Sequence, residues 1–170
     1  MIPVMTAERV FIALGSNLGD SPAVLAAAFD RLESWSSVPI RRSSLWTSTP
    51  VDCPPGSPRF LNAVAELASR RGDSPESLLA ALQALEREFG RRPKLVLNEA
   101  RPLDLDLIAW GREVRSTASL TLPHPRAHLR RFVLQPLAEL APELLLPGQT
   151  APVEELLRDL QTDEILHRLP

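Results

Sequence analysis

Phe60-Leu-Asn-Ala-Val-Ala-Glu-Leu-Ala-Ser69 is the stretch that decides the fold. Leu61, Ala63, Ala65 and Leu67 hold alternate positions, and successive strand side chains point to opposite faces, so residues 60–69 read as a strand with one buried face. Downstream, Gly72-Asp-Ser74-Pro75 supplies a cap and a first-turn proline, predicting a helix that runs to Phe89 and stops at Gly90. Its apolar stripe is Leu78, Leu79, Leu82, Leu85 and Phe89. Upstream, Asp52-Cys-Pro-Pro-Gly-Ser-Pro58 is a loop, and residues 41–48 before it alternate weakly as another strand. Farther out, Val10-Phe-Ile-Ala-Leu14 is a buried-strand run and Gly15-Ser-Asn-Leu-Gly-Asp20 a turn. Ser21-Pro22 then reads as N-cap and first position of a helix over residues 22–34. Beyond the second helix, a polar loop over residues 91–102 leads into Leu103-Asp-Leu-Asp-Leu-Ile-Ala-Trp110, a further strand. Gly111 turns it towards residues 113–115 as a hairpin. Residues 132–137 return as strand or turn, and residues 152–160 form a terminal helix. The order βαββαβ predicts one α+β domain over residues 1–170, its core at about 10–160, with helices on one face of an antiparallel sheet.

Composition narrows the function classes. A chain of 170 residues that is 44% hydrophobic and 24% charged matches an ordinary globular domain, which excludes a disordered chain, a collagen and a coiled coil. The longest apolar run, at residues 23–29, is too short to span a bilayer, so no membrane partner is expected. The first residues lack a basic n-region and an apolar h-region, and the single cysteine, Cys53, fits a reducing compartment. The expected location is the cytoplasm. A net charge of −2 offers no bulk attraction to nucleic acid, and an RNA-binding reading lacks both a basic face and tyrosines. Lys94 is the single lysine among 19 basic residues, so the cations are arginines, suited to bidentate phosphate contacts. A GC-rich or heat-adapted genome explains the same bias.

The strongest chemical signal is Asp104-Leu-Asp106. Two carboxylates two apart on a strand share a face and can hold hard cations together, whereas burying them without cations would raise a pKa. A solvated strand face is the plainer alternative. Arg101 and the pair Arg91-Arg92 precede this strand, as a polyphosphate–magnesium site requires. Gly15-Ser-Asn-Leu-Gly19 lacks both the Rossmann spacing and the phosphate-loop lysine, so a tight turn is the better reading. His124, rigid between Pro123 and Pro125, could donate to a phosphate or act as a base. Asn62, an amide on a strand, needs hydrogen-bond partners that the edge of a planar heterocycle would supply. Cys53 has no nearby histidine, and no Cys/His spacing suggests zinc.

Five ordered motifs carry a resemblance: Ala13-Leu-Gly-Ser-Asn-Leu-Gly19, Phe60-Leu-Asn-Ala-Val64, Leu85-Glu86 with Gly90-Arg91, Arg101-Pro-Leu-Asp-Leu-Asp106, and Leu122-Pro-His124 with Arg130-Arg-Phe132. In these the chain resembles the 6-hydroxymethyl-7,8-dihydropterin pyrophosphokinases, from about residue 10 to residue 160. The resemblance implies a ferredoxin-like α-β sandwich and transfer of pyrophosphate from ATP to a pterin alcohol in folate synthesis, releasing AMP. It implies two magnesium ions on Asp104 and Asp106, with ATP as co-substrate and no macromolecular partner, in a chain expected to be monomeric. Arg91 and Arg101 would bind phosphate, and Gln83, Glu86, Leu107, Thr121, His124 and Arg130 would contact ATP. Phe60 and Phe132 would sandwich the pterin ring, with Asn62 on its polar edge and Ser48, Thr49 and Val51 lining the pocket. The chain departs from the family at Pro93, where a second loop arginine is usual. It departs again at Asn98-Glu99-Ala100, which replaces Trp-Gly-Pro, and at Pro125, where an aromatic residue often stands. Arg92 is a candidate to replace the displaced arginine. The altered loop leaves open a relative that binds ATP or pterin without transferring anything.

Overall fold

The computed structural model describes residues 6–49, 54–91 and 100–170. Eight strands and four helices follow one another in the order β1 (Arg9–Ser16), α1 (Ser21–Glu33), β2 (Arg41–Arg42), β3 (Trp46–Ser48), β4 (Phe60–Ala68), α2 (Pro75–Glu88) and β5 (Asp104–Trp110). Then come β6 (Arg115–Ser116), β7 (Thr121–Leu122), α3 (Arg131–Leu140), α4 (Val153–Asp159) and β8 (Leu166–Arg168). The main sheet runs β5-β1-β4-β3-β8, with β2 also on β4, and every pairing in it is antiparallel. Strand β1 pairs along its whole length with β4, from Arg9 opposite Ala68 to Ser16 opposite Leu61.

The alternation read from residues 60–69 sorts the core. Val10, Ile12 and Leu14 of β1 and Leu61, Ala63, Ala65 and Leu67 of β4 pack under α1 and α2 against Leu25, Leu32, Leu82 and Leu85. On the opposite face, Phe11, Val64 and Ile108 pack against Val133, Leu134 and Leu137 of α3 and Val153 of α4. The α+β sandwich is therefore as expected, but helices cover both faces of the sheet.

The additional layer arises from α3, where residues 132–137 had suggested strand or turn. Pro136 lies inside this helix, and an internal proline costs about 3 kcal/mol. Val133, Leu134, Leu137 and Leu140 are all buried on one helical stripe, and a fully buried aliphatic side chain contributes about 1.5–3 kcal/mol. Burial outweighs the proline.

Other differences are local. Asp20, not Ser21, caps α1 by accepting from the Ala23 amide at 3.2 Å, while the Ser21 hydroxyl lies 2.8 Å from that of Ser16. The strand expected over residues 41–48 is broken at Ser43, whose hydroxyl accepts from the Val64 amide at 2.8 Å in place of a backbone carbonyl. Residues 113–115 do not fold back on β5; β6 pairs instead with β7. Helix α2 begins as read, with Ser74 and Ser77 exchanging side-chain-to-backbone bonds, and ends before Gly90 at φ 95°.

Candidate active site

Alternation along β5 puts Leu105 and Leu107 into the core beneath α1 and α2, and turns Asp104 and Asp106 to the α3 face. Sheet register then lines up Asp104, Gly15, Asn62 and Trp46 across four strands. A carboxylate and an amide thus flank a residue with no side chain. Gly15 is within β1 rather than in a turn, so its bareness serves space and not backbone freedom. A Cβ there would lie 3.7 Å from Asn62 Oδ1, 3.8 Å from Phe60 Cδ1 and 3.9 Å from Asp104 Cβ.

Asn62 is buried, and both of its N–H groups are used within the protein. Its Nδ2 donates to Ser48 Oγ at 2.7 Å and to the Trp46 carbonyl at 3.4 Å. Its Oδ1 faces Gly15 and accepts from no group among the described residues, so it can serve a ligand edge that carries N–H groups.

The arginines gather around Asp104. Arg91 Nη1 donates to Asp104 Oδ1 at 2.8 Å and also pairs with Glu86 Oε2, and Arg101 Nη1 approaches the same Asp104 oxygen at 3.4 Å. Glu86 Oε2 also accepts from the Leu105 amide at 2.9 Å, so this carboxylate fixes both Arg91 and β5. Burial pushes the Glu86 pKa up, partly offset by that amide and by Arg91. Asp106 is pushed up to about 7, first by burial and then by the Asp104 charge, as the paired carboxylates suggested. Arg101 Nε is buried and has no partner among the described residues. A buried unpaired donor on a cation is costly, and an incoming anionic oxygen would satisfy it.

Asn17 was read as part of a turn, and it ties two segments together. Its Oδ1 accepts from the Arg101 amide at 2.9 Å, its own amide donates to the Arg101 carbonyl at 3.2 Å, and its Nδ2 donates to the Pro58 carbonyl at 3.3 Å. The signal was available in its residue type, since a buried asparagine must find partners.

His124 borders β5, its amide donating to the Ile108 carbonyl at 2.8 Å. Its Nδ1 accepts from the Arg126 amide at 3.1 Å, which leaves the proton on Nε2. Burial, then the charges of Arg130 and Arg126, lower its pKa to about 4. With its Nδ1 engaged and its proton on Nε2, the neutral ring presents a donor. Arg130 holds the position before α3 without a side-chain capping bond, its guanidinium 5.3 Å from the centroid of the Phe132 ring.

The remaining candidates are more dispersed. Gln83 is exposed on α2, Thr121 is exposed on β7, and Thr49 follows β3 half-buried. The Leu107 side chain is buried with Leu103 and Leu105 on the sheet face opposite the two aspartates, so only its main chain could meet a ligand on their side. Val51, Arg92, Cys53 and positions 93–99 lie outside the described residues. Among the described residues no group of three or more His, Cys, Asp or Glu side chains could hold a metal. The acidic pair alone suits magnesium, which uses one or two carboxylates together with water and phosphate oxygens.

Known proteins resemble this chain over most of its length. Residues 11–142 match the family model described as 7,8-dihydro-6-hydroxymethylpterin-pyrophosphokinase (HPPK). The chain is 41% identical over 141 residues to the 2-amino-4-hydroxy-6-hydroxymethyldihydropteridine pyrophosphokinase of Pseudomonas aeruginosa, covering 82% of this chain and 85% of that one. The enzyme of the same name from Haemophilus influenzae is 35% identical over 161 residues, covering 94% and 98%. Among solved structures, the Plasmodium falciparum HPPK-DHPS with pteroate superposes with a TM-score of 0.71 at 12% identity, over 92% of this chain. That likeness concerns the fold, and it spans 43% of the larger chain.

Proposed function

We propose, from the premise that this chain belongs to the 7,8-dihydro-6-hydroxymethylpterin-pyrophosphokinase family, that it transfers pyrophosphate from ATP to 6-hydroxymethyl-7,8-dihydropterin in folate synthesis. The observation that carries this is the row Asp104–Gly15–Asn62, which sets an anionic site for cations beside an amide site for a heterocycle edge. Asp104 and Asp106 would hold two magnesium ions. Bound there, the ions would neutralise the triphosphate and lower the pKa of the attacking hydroxyl.

The side chains then bind, orient and exclude water. Phe60 and Phe132 stack on the pterin, Asn62 Oδ1 accepts from its N–H edge, and Ser48, Thr49 and Val51 line the same pocket. Arg91 and Arg101, which share Asp104 in this structure, turn to the phosphate oxygens. Glu86 serves by holding Arg91, and Gln83, Thr121, Arg130 and Arg92 complete the nucleotide side. Neutral His124 offers its Nε2–H to a phosphate oxygen. The hydroxymethyl oxygen attacks the β-phosphorus in line, the bond from that phosphorus to the α-bridging oxygen breaks, AMP leaves, and the hydroxyl proton passes to solvent. Positioning and charge neutralisation account for the rate, and no side chain is assigned as general base.

One domain would carry both substrates as a monomer in the cytoplasm. No helix among the described residues is long and apolar enough to cross a membrane. Mass-spectrometric detection of AMP and the pterin diphosphate from ATP plus the pterin alcohol, with and without magnesium, tests the assignment. Binding of both substrates without AMP would leave a binding protein only.

A further inference from the structure

The carboxyl-terminal tail lies beyond residue 142, where the family match ends, yet it touches both walls of the candidate pterin pocket. On one wall, the α3 helix begins at Arg131 without a side-chain cap of its own and with no acidic residue in its first turn. Glu164 takes that place from the tail. Its Oε2 accepts from the Arg131 amide at 3.0 Å and from Thr162 Oγ1 at 3.0 Å, and its own amide donates to Thr162 Oγ1 at 3.3 Å. Among the described residues no cation pairs with Glu164, and its Oε1 is buried without a partner. The charge therefore rests against the amino-terminal end of α3, where a helix favours an anion.

On the other wall, β8 pairs with β3, setting Leu166 opposite Ser48 and Arg168 opposite Trp46. The Leu169 amide adds a bond to the Leu45 carbonyl at 2.9 Å. Ser48 and Trp46 are the two residues that receive the Asn62 amide. One stretch, residues 162–168, thus pins the helical turn that presents Arg130 and Phe132 and the strand that orients Asn62.

We infer that this tail is a strap that positions the heterocycle-binding groups, and that Glu164 is a positioning residue for Phe132. The inference rests on the pterin reading of Phe132 and Asn62 given above. Without Glu164 the first turn of α3 loses the one side-chain cap it has among the described residues, and Phe132, its second residue, frays with it. On the nucleotide side, β5, Arg91 and Arg101 make none of these bonds, and Arg130 alone adjoins the capped turn.

The test uses the full chain with Glu164→Ala and Glu164→Gln, and two measurements. Amide hydrogen exchange without substrate should quicken about tenfold at residues 131–133 in Glu164→Ala, the effect expected from loss of one helix cap, and stay near wild type in Glu164→Gln, whose amide oxygen accepts the same bond. Steady-state kinetics should show a KM for the pterin raised about fivefold to thirtyfold in Glu164→Ala, with a clearly smaller rise in the KM for ATP, through Arg130 alone, and recovery of both in Glu164→Gln. Unchanged exchange at residues 131–133 overturns the inference, and so does an equal rise in both KM values. If Glu164→Ala fails to fold, Thr162→Val, which removes only the hydroxyl orienting Glu164, is read by the same measurements against the same outcomes. Exchange is measured without substrate, so a chain that forms no AMP would sink the pyrophosphokinase reading while the strap stands or falls on its own data.

Discussion

Asp104 and Asp106 share one face of the sheet, yet their surroundings differ. Asp104 is shared by Arg91 and Arg101, whereas Asp106 is pushed up to about 7 by burial and by Asp104. A cation would relieve that repulsion. We expect Asp104→Ala or Asp106→Ala to keep the fold and to lower pyrophosphate transfer by orders of magnitude, several kcal/mol of transition-state stabilisation. A variant keeping more than about a tenth of wild-type activity, a loss under about 1.4 kcal/mol, would remove these residues from the site. The sequence disclosed this pair through spacing alone, because a strand fixes which side chains share a face. It disclosed Gly15 wrongly, since a glycine required for empty space looks the same in sequence as one required for a turn. A methyl group on Gly15 would make ordinary contacts at 3.7–3.9 Å with Asn62, Phe60 and Asp104. Gly15→Ala should therefore leave the melting temperature nearly unchanged while weakening pterin binding by about 1–3 kcal/mol, as loss of a stacking platform would. Calorimetry showing unaltered pterin affinity would mean that the floor above Gly15 is not used.

At the scale of elements, regular periodicity was legible and its interruptions were not. The α2 helix carried cap, stripe and terminal glycine in one run, so its span of Pro75–Glu88 agrees with the reading of the sequence to a residue. The α3 helix carried an equally clear stripe at Val133, Leu134, Leu137 and Leu140, but Pro136 masked it, because local propensity says nothing of the buried area that overrides it. Contacts between loops were least visible. Asn17 joins the end of β1 to the segment before Phe60 and to the segment carrying Arg101, and nothing in the spacing of residues 17, 58 and 101 announces this. Asn17→Ala would leave the half-buried Arg101 amide without its side-chain acceptor, a cost of about 1 kcal/mol. The loosened Arg101 should lower kcat more than it raises the KM for either substrate, since a phosphate contact acts chiefly on the developing charge. Equal loss of stability with kcat unchanged would make Asn17 a purely structural clamp.

For the whole molecule, chain order was sufficient to predict a mixed α+β sandwich, but the response of that sandwich to acid depends on buried groups that no composition reveals. His124 ordinarily titrates near 6.5, and the fold lowers it to about 4, through burial and then through Arg130 and Arg126. The folded state thus prefers the neutral ring, while below pH 6.5 the unfolded chain takes up a proton. The stabilisation from this residue is complete above about pH 6.5 and is lost as pH falls towards 4. Asp106 works in the opposite sense: its pKa is raised in the fold, so the folded state binds the extra proton and gains stability between about pH 7 and 4. A wild-type profile alone would show only the remainder of these effects. His124→Gln removes the first and keeps the second. Over the fall from pH 7 to 4.5, urea unfolding should cost the wild type about 1–2 kcal/mol more than the variant, after discounting for solvent around a half-buried ring. Proton NMR should show the His124 ring still neutral at pH 5.5 in the folded protein. A ring midpoint near 6.5, or parallel stability profiles for the two proteins, would return His124 to the surface.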